Sequence, residues 1–108
     1  MAGIVIDVTD ADFEVKVVGA NGPVLAAFRA EWSDVCRALD PVLADVAKEY
    51  ADRIVICRLD IDEGPETPRK YSITAIPTLH VFKGGKIVDT WIGPANKTRV
   101  VNLIAPYV

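Results

Sequence analysis

Two cysteines and a single histidine are the side chains of this sequence best suited to nucleophilic, redox or metal chemistry. Cys36 ends the run EWSDVC, in which Trp32 precedes the predicted start of a helix. Two thiols three residues apart at such a position would predict disulfide exchange, because one thiolate attacks and the other resolves. Here Ser33 occupies the first of the two positions. The run is therefore a redox site, an altered redox site or a helix start without chemistry.

Ser33 is better explained as a helix cap than as a nucleophile. Serine is among the preferred residues at the capping position, and Asp34 in the first turn suits the helix dipole. A catalytic hydroxyl needs a neighbouring base, and none is evident beside Ser33. His80 is the only histidine, and Asp34 is too close in sequence to Ser33 to orient a base on a distant strand. We therefore predict that His80 is a packed strand residue.

Two interpretations remain open for Cys36. It can be a small apolar residue on the inner face of its helix, as free cysteines often are. It can also be a lone thiol near a helix amino terminus that forms mixed disulfides. Cys57 lies in the β-branched run of residues 54–57 and is expected to be inert core, so a disulfide between the two cysteines is not expected. Cys36, Cys57 and His80 lack metal-ligand spacing, and we predict no metal or cofactor site.

Composition excludes several function classes. The 108 residues, 51% of them apolar, can bury one hydrophobic core, which predicts a single domain over residues 1–108. The net charge is −3, from 12 basic and 15 acidic residues, and the basic residues are scattered singly, which argues against a nucleic-acid surface. No apolar run approaches the roughly 20 residues of a membrane-spanning helix, and the amino terminus does not resemble a secretory signal. We expect a cytoplasmic protein without nucleic-acid or membrane partners.

Apolar periodicity predicts the order β-α-β-α-β-α-β-β-α. Strands are predicted over residues 4–8, 23–30, 54–61, 78–82 and 87–92. Helices are predicted after a cap at Thr9-Asp10, over residues 33–50 with a kink at Pro41, near residues 65–71, and after a cap at Asn96. The first strands, joined by helices, should be parallel, whereas the last two, joined by a tight glycine turn, should be antiparallel. The fold class is therefore α/β, with a mixed central sheet of about five strands flanked by about four helices.

The sequence resembles the thioredoxin family over essentially its whole length. The run PVLAAFRAEWSDVCRALDPVLADVAKEY is similar to the family's second strand, active-site turn and long kinked helix. The run RLDIDEGPETPRKYSITAIPTLHVFKGGK is similar to the family's third strand through its hairpin. Ile76-Pro77-Thr78 matches the family's Ile-Pro-Thr, whose proline is cis, and Gly93 matches the glycine before the final helix. The resemblance implies the thioredoxin fold.

The resemblance also implies a site and an activity. The family's fold would bring residues 32–36, Ile76, Pro77 and Gly93 to one surface, where an extended peptide docks across the cis-proline loop. In the family, a thiolate at the first cysteine position attacks a substrate disulfide and a second cysteine, matched here by Cys36, resolves the mixed disulfide. The implied substrate-binding residues are Trp32, Ile76, Pro77 and Gly93. The implied partners are protein or peptide substrates and, as a second candidate, a thioredoxin reductase.

The sequence departs from the family pattern in four linked places. Ser33 occupies the position of the attacking thiol, and a serine hydroxyl does not replace a thiolate. Asp34 and Val35 replace the family's Gly-Pro. Ala27 stands where the family usually keeps a buried aspartate that handles the proton of the resolving thiol, and Arg29 stands where a second tryptophan is usual. The docking residues therefore match the family, while the two-thiol machinery does not.

Arg58 stands where the family usually has a lysine. A buried arginine without a partner is costly. We therefore expect the Arg58 guanidinium to reach Asp60, Asp34 or solvent.

Three functional hypotheses follow. The leading one is an atypical thioredoxin-like protein that docks peptides and at most performs weak monothiol disulfide exchange through Cys36. The alternative, from another class, is a redox-inactive peptide-binding or chaperone-like module of the same fold. The third is an ordinary family member carrying one installed substitution at Ser33, which would leave the departures at Ala27, Arg29 and Asp34 unexplained.

Overall fold

The computed structural model describes residues 3–108. Its strands are β1 (Val5–Asp7), β2 (Val24–Arg29), β3 (Val55–Asp60), β4 (Thr78–Lys83) and β5 (Lys86–Ile92). Its helices are α1 (Asp34–Glu49), α2 (Glu66–Lys70) and α3 (Lys97–Ile104), together with a π-helical turn at Glu14–Val18 and a 3-10 turn at Ala105–Tyr107. This order confirms the alternation predicted from apolar periodicity, with boundaries that differ by at most one residue where both ends were predicted.

The five strands form one mixed sheet in the order β1-β3-β2-β4-β5. The three strands β1, β3 and β2 are parallel to one another. Strand β4 is antiparallel to β2, and β5 is antiparallel to β4. The predicted α/β thioredoxin fold is therefore confirmed. Because β4 runs opposite to β2, the beginning of β4 lies at the edge of the sheet where β2 ends.

Alternate residues of β2 pack against the two faces of the sheet, as the twofold period of a strand requires. Leu25 and Ala27 pack in the cluster that α1 and α3 cover, whereas Ala26 and Phe28 pack in the cluster beneath the π-helical turn. Every residue of β2 is buried, which explains its continuous apolar run. Burial of each large aliphatic or aromatic side chain contributes about 1.5 to 3 kcal/mol, so these two layers supply most of the stability that positions the site.

Helix α1 begins as its sequence predicts. Ser33 is the N-cap, and its Oγ accepts a hydrogen bond of 3.3 Å from the backbone N–H of Cys36. The apolar residues Leu39, Leu43 and Val46 follow at helical spacing and are buried. Pro41 lies inside the helix, which continues to Glu49. The cap fixes the point where the chain leaves β2 and turns into the helix.

The helix cap predicted at Thr9-Asp10 is wrong, because the π-helical turn has no side-chain cap and Asp10 caps a different helix. Its carboxylate accepts hydrogen bonds from the Thr67 N–H at 2.8 Å, the Thr67 hydroxyl at 2.6 Å and the Glu66 N–H at 3.0 Å. Desolvation opposes ionisation, but these hydrogen bonds from Thr67 and Glu66 lower the pKa of Asp10 below its ordinary value of 3.8. Asp10 therefore holds the amino end of α2, which is more than 50 residues away in sequence.

Candidate functional site

The residues predicted to form the site lie at one edge of the sheet. Trp32 and Ser33 lie between the end of β2 and the start of α1. Phe28 pairs with Thr78, and Thr78 pairs with Ile92, so the three strand ends are adjacent. Gly93 follows directly and donates its backbone N–H to the Pro77 carbonyl at 2.9 Å. The antiparallel pairing of β4 thus places the Ile76-Pro77 loop and Gly93 at the carboxyl end of β2.

The loop before β4 has a defined backbone. The Ile76–Pro77 peptide bond is cis, and the Thr78 hydroxyl donates a hydrogen bond of 2.6 Å to the Ala75 carbonyl. Pro77 is buried, and Ile76 is half-buried. Gly93 has a φ of 106°, a conformation that side-chain-bearing residues rarely adopt, although a Cβ there would meet open space. Glycine is therefore required at this position by the backbone and not by packing.

Trp32 is the largest exposed apolar side chain at this edge. It is 67% exposed, and its indole Nε1 donates a hydrogen bond of 2.8 Å to Asp62. Ile92, beside Gly93, is 58% exposed, and Val35 in the first turn of α1 is also exposed. An anchored indole with a free face is suited to contact with a partner, because it offers large apolar area at little cost in conformational entropy.

The two cysteines are buried free thiols. Cys36, in the first turn of α1, is 0% exposed, and Cys57 is buried in β3. Burial raises the pKa of Cys57 to about 12, so this thiol stays protonated and unreactive near neutral pH. The cysteines lie in different layers, because Cys57 packs with Phe28 and Phe82 whereas α1 covers the opposite face.

His80 cannot serve as a base for Ser33. It pairs with Ala26 in the sheet, on the face opposite α1. Its Nδ1 shares a hydrogen bond of 2.8 Å with the Thr90 hydroxyl, and its ring packs edge-on against Phe28 at 5.6 Å between centroids. Burial lowers the pKa of His80 below its ordinary value of 6.5. His80 is therefore a packed strand residue, as the sequence predicts.

A charge network that sequence reasoning missed surrounds Arg29, the last residue of β2. Arg29 is only 4% exposed, and its guanidinium contacts Asp40 at 2.9 Å, Glu31 at 2.8 Å and Asp60 at 3.6 Å. Arg58 contacts the same Asp40 at 3.2 Å. Asp40 thus joins two arginines of adjacent strands to α1. One sequence signal could have indicated this network. Asp40 lies one helical turn after Cys36, on the helix face that also carries Leu43 and Ala47. That face is predicted to pack on the strands that carry the two arginines.

The expectation that Arg58 reaches Asp60, Asp34 or solvent requires correction for its carboxylate partners. Its Nε donates a hydrogen bond of 2.6 Å to Asp7, and its second partner is Asp40, while 31% of the side chain is exposed to solvent. The hydrogen bond to Asp7 is the main cause that raises the pKa of Arg58. The reason is strand order, because β1 lies beside β3 and brings Asp7 into register with Arg58.

Ala27 lies on the sheet face covered by α1, where it pairs with Arg58 in β3 and with Leu79 in β4. It is buried and carries no ionisable group. Its methyl group packs among apolar residues, with Leu39 of α1 in the same cluster. The side chain at position 27 therefore cannot accept or donate a proton.

Within residues 3–108, no helix combines the length and the apolar character needed to cross a bilayer. In the same part of the chain, no three His, Cys, Asp or Glu side chains are grouped so that they could hold a metal ion.

Comparisons with known proteins agree with this geometry. The family model described as Thioredoxin matches residues 4–106. A thioredoxin of Pseudomonas aeruginosa is 42% identical over 100 residues, which cover 93% of each chain. A thioredoxin of Rhodospirillum rubrum is 42% identical over 93 residues, covering 86% of this chain and 89% of that protein. A bifunctional thioredoxin reductase/thioredoxin of Mycobacterium leprae is 36% identical over 107 residues, covering 99% of this chain and 23% of that protein.

Proposed function

The chain belongs to the thioredoxin family, and from this we propose that it binds extended segments of protein partners without catalytic disulfide reduction. The binding surface comprises Trp32, Ile76, Pro77 and Gly93, and we call these four residues the docking surface. The observation that carries the proposal is the contrast between an exposed Trp32 and a fully buried Cys36 at the same sheet edge.

The exposed groups of the docking surface support binding. The indole of Trp32 is held at its Nε1 by Asp62, which leaves its face free. The loop before β4 and the turn at Gly93 are joined by a backbone hydrogen bond, so the two borders of the surface have a fixed separation. A surface organised before binding loses little conformational entropy when a partner docks. An extended peptide fits such a surface through backbone hydrogen bonds and one or two apolar side chains.

The groups that catalytic disulfide reduction requires are missing or inaccessible at this site. Ser33 stands where the family's attacking thiol would stand, and its oxygen already accepts the N–H of Cys36. Ala27 supplies no group to accept or return a proton beneath Cys36. Cys36 itself is removed from solvent, and a thiol must be accessible to attack a disulfide. These three features together support a binding role.

A second candidate function is slow monothiol exchange through Cys36. In that reaction the Cys36 thiolate attacks a partner's disulfide, forms a mixed disulfide and releases one partner thiolate. The position of Cys36 in the first turn of α1, beside a half-buried Ser33 and an exposed Val35, favours it. A reductase of the kind named in the Mycobacterium leprae relative would then be a partner that restores the thiol. Both cysteines are free, which suits a reducing compartment, and we place the protein in the cytoplasm.

Replacing Trp32 by alanine is expected to weaken peptide binding about tenfold or more, because the lost aromatic contact is central to the surface. The side chain is mostly exposed, so the free energy of unfolding should change by less than about 1 kcal/mol. Fluorescence anisotropy of dye-labelled apolar peptides measures the binding, and urea denaturation measures the stability. Val15→Ala is the matched control, because Val15 is exposed on the π-helical turn away from this edge. Equal binding by the Trp32 variant and the control would contradict the docking surface.

Native thiol labelling separates the two candidate functions. We expect both cysteines to react with a thiol reagent at least about a hundredfold more slowly in the folded protein than in urea, because burial limits reaction to rare opening of the fold. The Cys57→Ala and Cys36→Ala variants assign the rates to single thiols. A rapid reaction of Cys36 in the native Cys57→Ala variant would instead support monothiol exchange.

A further inference from the structure

Carboxylates converge on the sheet edge that carries the docking surface. The parallel strands β1, β3 and β2 all end there, and acidic residues lie at or just after each of these ends. The first residues of α1 begin at the same edge and add further carboxylates. We call the complete set the acidic rim; it comprises Asp7, Glu31, Asp34, Asp40, Asp60, Asp62 and Glu63.

The rim accounts for the net negative charge of the chain. Its seven carboxylates are accompanied by the guanidiniums of Arg29, Arg37 and Arg58, which leaves a local charge of −4. The chain has 15 acidic and 12 basic residues, so eight acidic and nine basic residues lie elsewhere. The remainder of the molecule is therefore nearly neutral. The field of the protein is concentrated beside the docking surface.

The three cations of the rim differ in exposure. Arg29 is buried among its acidic partners, and Arg58 lies between Asp7 and Asp40, whereas Arg37 is exposed and pairs with Asp34. Within residues 3–108, no cation lies within ion-pair distance of Asp62 or Glu63. Both of these residues are exposed. A cation approaching Asp62 or Glu63 from solvent thus meets a carboxylate that has no ion-pair partner in the described part of the chain.

The rim is in direct contact with the docking surface on one side only. Asp62 accepts the indole N–H of Trp32, so the rim begins at the edge of that ring. A cavity of about 470 Å³ continues from there, lined by five rim carboxylates and the guanidiniums of Arg29 and Arg58. On the other side, Ile76, Pro77 and Gly93 are uncharged. A segment that lies over Trp32 therefore has a negative field on one flank and an apolar border on the other.

We propose that the partner segment bound at the docking surface carries lysine or arginine beside its apolar residues, so that the basic side chains lie over the acidic rim. This inference rests on the proposed function, because it names the chemistry of the peptide which that surface binds. Complementary charge on one flank also sets the direction in which an extended segment lies. Segments with acidic flanks are rejected by the same field.

The test uses dye-labelled peptides with one apolar core, made in three versions whose flanking residues are lysine, glutamine or glutamate. At about 0.1 M salt, where charges act over about 10 Å, the lysine version should bind about fivefold more tightly than the glutamine version. The glutamate version should bind more weakly than both. At about 1 M salt, where that range falls to about 3 Å, the three affinities should converge.

A pair of matched double variants locates the charge effect. Asp34→Asn with Glu63→Gln lowers the local charge of the rim from −4 to −2 and should therefore weaken the preference for lysine. Asp45→Asn with Asp52→Asn removes the same charge near the opposite end of α1, about 16 Å or more from Asp34, and should leave the preference unchanged. Both replacements are isosteric, and urea denaturation checks that each variant is folded.

Two kinds of failure are distinguishable. If all three peptides bind equally well and Trp32→Ala weakens each of them, the docking surface stands and the charge inference is wrong. The inference is equally wrong if both double variants behave alike. If no version binds, or if binding does not depend on Trp32, the proposed function fails and the inference fails with it.

Discussion

Replacing Asp40 by asparagine is expected to lower the free energy of unfolding by about 2 to 3 kcal/mol. Arginine stays charged in proteins, so Arg29 cannot respond by losing its proton. Its guanidinium is 4% exposed and would keep only Glu31 and the more distant Asp60. Arg58 would lose its second carboxylate as well. The expected loss is below that of a fully buried pair, because Asp40 is 27% exposed.

Asp34→Asn is the control for this change on the same helix. Asp34 pairs with Arg37 at the surface and is 89% exposed, so its replacement should cost less than about 1 kcal/mol. Urea denaturation at neutral pH measures both variants. Arg29→Met should cost less than Asp40→Asn, because it removes the buried charge together with its need for a partner. Equal, small losses for Asp40 and Asp34 would show that the network does not stabilise this edge of the sheet.

Replacing Ser33 by cysteine is expected to create disulfide-reducing activity that stays about tenfold or more below that of a two-cysteine relative. The change supplies a thiol at the amino end of α1, where the helix dipole stabilises a thiolate. The resolving step would still lack a proton-transfer group, because Ala27 is buried and not ionisable. Positioned acid–base groups contribute about 10² to 10⁴ in rate, so their absence should limit turnover. Insulin reduction driven by dithiothreitol is the measurement.

Two further variants make this test specific. Ser33→Cys with Cys36→Ser keeps one exposed thiol and removes the resolving one, so it should form mixed disulfides and not turn over. Ser33→Cys with Ala27→Asp should exceed Ser33→Cys alone, because the added carboxyl would lie opposite Arg58 in the sheet. Full activity from Ser33→Cys alone would mean that the protein is an ordinary family member with one substitution.

Local patterns were sufficient to predict the secondary structure. The caps at Ser33 and Asn96 are confirmed, since each side chain accepts a backbone N–H three residues on. These interactions depend on neighbouring residues, which a short stretch of sequence displays in full. The direction of β4 could not be predicted from local patterns. A helix joins β3 to β4, and strands joined by a helix are usually parallel, yet β4 runs antiparallel to β2. No residue pattern around α2 indicates this reversal.

The sequence predicts which residues form the candidate site, but it does not predict their burial or their charged neighbours. The motif residues Trp32, Pro77 and Gly93 were located because they resemble family positions, and the strand pairing brings their ends together. The sequence left the burial of Cys36 open, because the same position suits both a residue on the inner face of a helix and a reactive thiol near the amino end of a helix. The packing of α1 on the sheet buries the Cys36 side chain. Asp40 was missed because its partners are 11 and 18 positions away in sequence.

The order of elements, the helix start at Ser33 and the Ser-x-x-Cys spacing of residues 33–36 can be read from the sequence, because these are properties of residue type and short-range spacing. Tertiary structure alone decided that Asp10 caps α2, that Asp40 joins two arginines and that the carboxylates form one rim beside Trp32. Each of these depends on which strands are neighbours, and strand order is set by the packing of the whole core. The run EWSDVC therefore predicts where the site lies, whereas the negative charge around the site and the burial of the Cys36 sulfur follow from the fold.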